Sequence, residues 1–149
     1  MTGEIGQLAL CLALALSFVQ AAAGLIGVHG AQARAIATSS ALGQFVFTAL
    51  AFAALEYAFI TSDFSVAAVA NNSHTLKPMI YKITGVWGNH EGSMLLWVLV
   101  LAVYSALIAA LARGGAKLTG AALGVQGLLA AAFLLFILFT SNPFLRLDP

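Results

Sequence analysis

Charge is what this sequence has least of. Only 7% of its 149 residues are Asp, Glu, Lys or Arg, against about 25% in an average soluble domain. Six basic and five acidic side chains cannot furnish a water-facing shell for a chain that is 62% hydrophobic. A soluble domain is therefore excluded, and lipid has to be the outer solvent. The formal net charge of +1 supplies no basic field, which argues against nucleic acid as a partner. Cysteine is almost absent too. Cys11 stands alone in an apolar run, which excludes an intrachain disulfide and reads as a small packing residue. No Cys-x-x-Cys-His pattern occurs, so the chain does not itself carry covalently attached c-type haem. The first apolar run also lacks the basic start of a secretory leader and carries Glu4 instead. Although Ala31-Gln32-Ala33 imitates a cleavage site, that run is expected to remain as a helix.

What is present are apolar runs of bilayer length, for which about 20 residues suffice at a rise of about 1.5 Å each. They extend from Ile5 to Val28, Ser40 to Ile60, Met94 to Ala112 and Leu118 to Thr140. Leu and Ala favour helix, and hydrocarbon forbids unpaired backbone groups. The expected fold is all-α: a polytopic membrane protein of about four transmembrane helices. Gly120 with Gly124, and Ala23 with Gly27, form small-xxx-small faces that permit close helix packing. Both are expected to meet protein outside this chain.

The connections differ in length. His29 to Ser39 join the first two spans and Arg113 to Lys117 the last two, whereas Thr61 to Gly92 make a loop of 32 residues between the second and third. A structureless loop of that size is unusual unless it binds something or is disordered. Its Phe64, Val66, Val69, Ile80, Tyr81, Ile83, Val86 and Trp87 argue for binding. Arg34, Arg113 and Lys117 on one side balance Lys77, Lys82 and Arg146 on the other. Greater weight on the short loops places both termini and the long loop outside.

The densest polar and aromatic cluster is Trp87-Gly88-Asn89-His90-Glu91-Gly92-Ser93, directly before Met94-Leu95-Leu96-Trp97. Its plainest reading is an aromatic belt with Trp87 and Trp97 as anchors and Glu91 near a positive helix end. A zinc peptidase would need His-Glu-x-x-His, and Met94 stands where the second His must be. No metal site is expected. A carboxylate in a span is expensive and often functional, which makes Glu56 a candidate proton carrier, although it lies four residues from its helix end and can be satisfied there. His29, at a helix end, reads as hydrated. A further option is contact with a flat amphipathic cofactor, with indoles packed on an apolar macrocycle and Lys77 and Lys82 pairing with carboxylate tails.

Longer words of the sequence are informative. Ser62-Asp63-Phe64-Ser65-Val66, Asn72-Ser73-His74, Pro78-Met79-Ile80-Tyr81-Lys82, the segment from Trp87 to Trp97, and Thr140-Ser141-Asn142-Pro143-Phe144 together resemble the CcmF family of cytochrome c biogenesis proteins, whose close relatives are the NrfE proteins. The likeness runs through nearly the whole chain, and Trp-Gly-x-His-Glu-Gly-Ser followed by Trp97 is its most specific part. It implies a multi-helix protein of the bacterial inner membrane, or of the mitochondrial inner membrane if organellar, with the loop at 61–92 periplasmic. It also implies haem as cofactor, and as partners the haem carrier and other cytochrome c maturation proteins, apocytochrome c and the lipid bilayer. Trp87, His90, Glu91 and Trp97 are the residues expected to shape the surface that meets haem or its acceptor.

Family members run to several hundred residues, and their tryptophan-rich WWD segment and haem-ligating histidines follow the region matched here. No Trp-Trp-Asp occurs in this chain, so no ligand role passes to His29, His74 or His90. The resemblance therefore implies the N-terminal transmembrane portion, residues 1–149, of a CcmF-like protein, completed by the remainder of that protein or by a split-gene partner. Two other readings stay open: a truncated or structural piece that only packs against the rest of a complex, and an ion-translocating subunit built around Glu56.

Overall fold

The computed structural model describes residues 1–26, 30–112 and 115–147. Within them lie six helices: α1 (Thr2–Ile26), α2 (Ala31–Thr61), α3 (Ala67–Asn72), α4 (Met79–Gly85), α5 (His90–Leu111) and α6 (Ala116–Thr140). Four of these, α1, α2, α5 and α6, are long and apolar enough to cross a membrane. Among the described residues there is no strand beyond a lone antiparallel bridge between Val66 and Arg146. The all-α, four-span expectation therefore holds.

The long helices form a ring in which α1 packs on α2 and α6, and α5 packs on the same two. Each crossing reverses direction, so the start of α1, the end of α2, the start of α5 and the end of α6 share one end of the bundle. The 62–89 segment covers that end. Leu10, Leu55, Phe59, Leu95, Leu134 and Ile137 are buried in the shared core, while Val46, Tyr104, Leu107 and Phe139 face outward. Large apolar side chains on the outside are what a lipid-facing surface requires.

Several boundaries move. The second span begins at Ala31, not Ser40, and its 31 residues reach about 46 Å, well beyond a hydrocarbon core of about 30 Å. The extra turns, Ala31 to Ser39, are too polar for an apolar run yet rich in alanine, the strongest helix former. α5 begins at His90, not Met94, because Asn89 caps it, and α1 and α6 start slightly earlier than expected. The expected 61–92 loop is not structureless, since it holds α3 and α4. The end of the first span at Val28, Gly27, His29, Arg113 and the Asp148-Pro149 terminus lie outside the described residues.

The expectation that Gly120 and Gly124 would meet protein beyond this chain is overturned. They pack on α1, and so closely that a Cβ added at Gly24 would stand 2.5 Å from the Gly124 backbone. In hydrocarbon no hydrophobic force draws helices together, so small residues that let backbones meet become the packing surface. Ala23 also finds its neighbours inside the chain, beside Ala37, Ala41 and Leu123. At the same depth the fully buried Gln20 donates to Ser105 Oγ at 2.7 Å and to the Leu123 carbonyl at 2.8 Å. One amide thus ties α1 to both α5 and α6.

Candidate functional site

The covered end of the bundle is built from residues that hold it and residues that it displays. Holding starts at the end of α2, where Ser62 adopts a left-handed conformation with φ of 56° and returns its N–H to the Ala58 and Phe59 carbonyls. This C-cap turns the chain back over the bundle. Asp63 Oδ1 then accepts from the N–H and hydroxyl of Ser65 at 3.2 and 2.6 Å. The Ala67 N–H donates to the Leu145 carbonyl at 2.8 Å, and the Leu147 N–H to Ser65 at 3.1 Å. These bonds stitch the segment to the tail after α6. Val66, Val69 and Val86 are fully buried beneath it.

A second lock lies inside the most distinctive motif. Asn89 caps α5, its Oδ1 accepting from the Gly92 N–H at 2.8 Å while Nδ2 donates to the Gly85 and Val86 carbonyls at 2.8 and 2.9 Å. All the polar capacity of this buried amide serves the backbone, which is the strongest use of an N-cap residue. Gly92 faces the same turn, and any Cβ there would run into the Val86 carbonyl. Sequence reasoning passed over Asn89 and Gly92 as separate players. The signal was available as an Asn immediately before a helical run.

Of the four residues singled out from the sequence, Trp87 is exposed just before α5, and His90, the first residue of that helix, is exposed as well. Trp97, seven residues on, shares the His90 face of the helix about 10 Å further along and is 61% exposed. Glu91 is rotated off this face and half-buried. His90 and Trp97 thus share a stripe, with Trp87 above it, and Glu91 does not join them. The sequence reading did not single out Leu76 and Met79 as displayed residues, and both are exposed, as are Ile80, Tyr81 and Trp87 in the same covering segment.

Two expectations are corrected. Lys82 is not free to meet a carboxylate, since it is buried and donates to Ser62 Oγ at 2.7 Å. Lys77 remains partly accessible in a cavity of about 250 Å³ with Asn72, Tyr81 and Thr84, and donates to the Asn72 carbonyl at 2.9 Å. Cys11 is exposed, not packed in the core, and lines a cavity of about 540 Å³ with Glu4, Gln7 and Phe144. Beside it Arg146 bridges to Glu4 at 2.7 Å.

Haem would require axial ligands and an apolar enclosure. His74 and His90 are both exposed, and the cavities that border this end contain no histidine. The described residues fit one apolar wall for a flat macrocycle. They do not fit a ligand set for its iron.

Over 99% of this chain, 58% of residues are identical to the cytochrome c-type biogenesis protein ccl1 of Rhodobacter capsulatus. The chain belongs to the CcmF family of cytochrome c-type biogenesis proteins. Identity to CcmF of Haemophilus influenzae is 43% across the whole chain. The solved structure of the cytochrome c haem lyase CcmF superposes with a TM-score of 0.93 over 99% of the chain at 27% identity. The chain spans only about a quarter of these proteins: 23% of ccl1, 24% of the Haemophilus CcmF and 25% of the solved chain. No protein-family model matches it. Within the CcmF family fold, Asn89 and Gly92 thus set the turn that projects Trp87 and His90.

Proposed function

We propose that this chain serves cytochrome c maturation as the N-terminal transmembrane portion of a CcmF-like haem lyase. It presents the 62–89 segment and the start of α5 on the periplasmic side of the bacterial inner membrane. The observation that carries this reading is the 50–58% identity, along nearly all of this chain, to the N-terminal part of cytochrome c-type biogenesis proteins, joined to the outward display of Trp87, His90 and Trp97. Those side chains form one wall of the surface that positions haem or apocytochrome c. Ligation of the iron and the covalent step belong to the remainder of the assembly, which also receives haem from its carrier. Glu91 supports the wall from behind by favouring the start of α5.

The test is a Trp87→Ala, His90→Ala double replacement in the complete assembly. Holocytochrome c yield should fall while the abundance of the protein stays normal. An unchanged yield at normal abundance refutes the display, and a loss of abundance instead favours a role confined to packing. The periplasmic placement is tested by moving the sole cysteine, with Cys11→Ser and Tyr81→Cys. An impermeant thiol reagent should label it in intact spheroplasts, and labelling only after lysis overturns the topology. Expressed alone in cells lacking the complete protein, the 149-residue chain should restore no holocytochrome c.

A second reading draws on Glu56, whose two carboxylate oxygens are buried without a hydrogen-bond partner among the described residues. An unpaired carboxyl within a span is the usual mark of an ion path. Glu56→Gln that abolishes proton flux yet spares cytochrome c yield would favour this reading.

A further inference from the structure

The end of the bundle opposite the 62–89 segment has a different chemistry. There Arg34 and Thr38 from α2, Ala109 from the end of α5 and Ala112 just beyond it, and Ala116 and Thr119 from the start of α6 line a cavity of about 320 Å³. Three alanines on its walls keep it open. Its polar side chains have no partner among the described residues. Thr48, Thr61 and Thr84 each return their hydroxyl to the carbonyl four residues earlier, at 2.8, 2.8 and 3.0 Å. Thr38 and Thr119 make no such bond among the described residues, nor does Arg34 form an ion pair there.

The charges are segregated as well. Glu4, Asp63 and Glu91 lie at the covered end and Glu56 near it, so no described acidic residue stands near this cavity. Lys117 stands in the first turn of α6, and by sequence Arg113 precedes it in the connection. A guanidinium, two hydroxyls with no partner among the described residues, and a second cation on the adjoining turn of α6 call for a ligand that is anionic and rich in acceptor oxygens. A phosphate oxyanion fits, because a guanidinium offers it two parallel donors. The exposed Leu111 and Leu118 flank the site and extend it with apolar surface that inorganic phosphate could not use.

We propose that this cavity binds the phosphodiester of an anionic phospholipid. Arg34, Thr38 and Thr119 hold its oxygens, and its acyl chains run down the outer faces of α5 and α6. A zwitterionic head group would set its own cation against Arg34 and Lys117, so the site selects lipids of net negative charge. Basic pockets between transmembrane helices are where such head groups are recognised.

The test uses the chain within its membrane assembly, placed in nanodiscs of phosphatidylcholine with or without phosphatidylglycerol. Phosphatidylglycerol should be retained through detergent washing, detected by native mass spectrometry, and should raise the unfolding midpoint. Arg34→Gln with Thr119→Val should weaken retention about tenfold, the loss of charge-assisted hydrogen bonds, while leaving the midpoint in pure phosphatidylcholine unchanged. Arg34→Lys, which keeps the charge but loses the fork, should fall between. Equal retention by the wild type and the double variant overturns the site, as does equal retention of the two lipids. A midpoint rise reproduced by inorganic phosphate alone overturns the lipid assignment. If the double variant does not assemble, retention by Arg34→Lys decides, and a value equal to wild type counts against the proposal.

Discussion

Within the eleven residues from Trp87 to Trp97, two groups of side chains do opposite things. Asn89 and Gly92 turn inward, one spending its whole amide on three backbone groups and the other yielding space to the Val86 carbonyl. Trp87, His90 and Trp97 turn outward and make no hydrogen bond among the described residues. A short distinctive motif can therefore carry two constraints, one on the turn and one on what the turn presents. They separate by readout: an inward change should alter how much protein accumulates, and on the proposed function an outward change should alter cytochrome c yield at normal abundance.

The sharpest break is expected at Gly92. Gly92→Leu forces a side chain against a backbone carbonyl that cannot rotate away, at a cost beyond the ~1–3 kcal/mol of ordinary overpacking. Membrane extracts should contain little intact protein. Gly24→Val, far from the motif, should also lower abundance, by about 1–3 kcal/mol of destabilisation, because α1 and α6 must separate. If it lowers cytochrome c yield without lowering abundance, inward and outward roles are not separable. Asn89→Ala should cost about 1 kcal/mol for the lost cap, read as a lower unfolding midpoint. Asn89→Asp should recover part of that, since it keeps the acceptor for Gly92 but loses both donor bonds. Smallest in stability is Trp97→Ala, an outward change within about 0.5 kcal/mol of wild type. Its effect should appear in cytochrome c yield.

Four spans were legible because hydrocarbon leaves composition little freedom: every apolar run of sufficient length became a helix. Their limits were less legible, since hydropathy marks where lipid begins and not where a helix does. Ala31 to Ser39 shows the difference, being helical through alanine content while too polar to count as membrane. At the covered end, a run of apolar residues could not be sorted by eye into Val66 and Val86 below and Ile80 and Tyr81 above. That sorting depends on the Ser62 turn and on the bridge to Arg146, a contact across 80 residues of sequence. Lys82 misled for the same reason. A lysine beside a tyrosine in a loop looks available until Ser62 is known to face it.

The amide of Gln20 has a consequence for how the protein is made. Its acceptor on α6 lies 103 residues further along the chain, and at roughly 5–20 residues per second the ribosome needs about 5–20 seconds to reach it. During that interval α1 has already left the ribosome with a side chain whose eventual partners do not yet exist. Until α6 is made, that amide lacks one of its two native acceptors, and in hydrocarbon an unpaired polar group is costly. Gln20→Leu would remove that temporary deficit together with the tie that joins α1 to α5 and α6, so the residue that closes the ring is also the one left waiting longest for its partner.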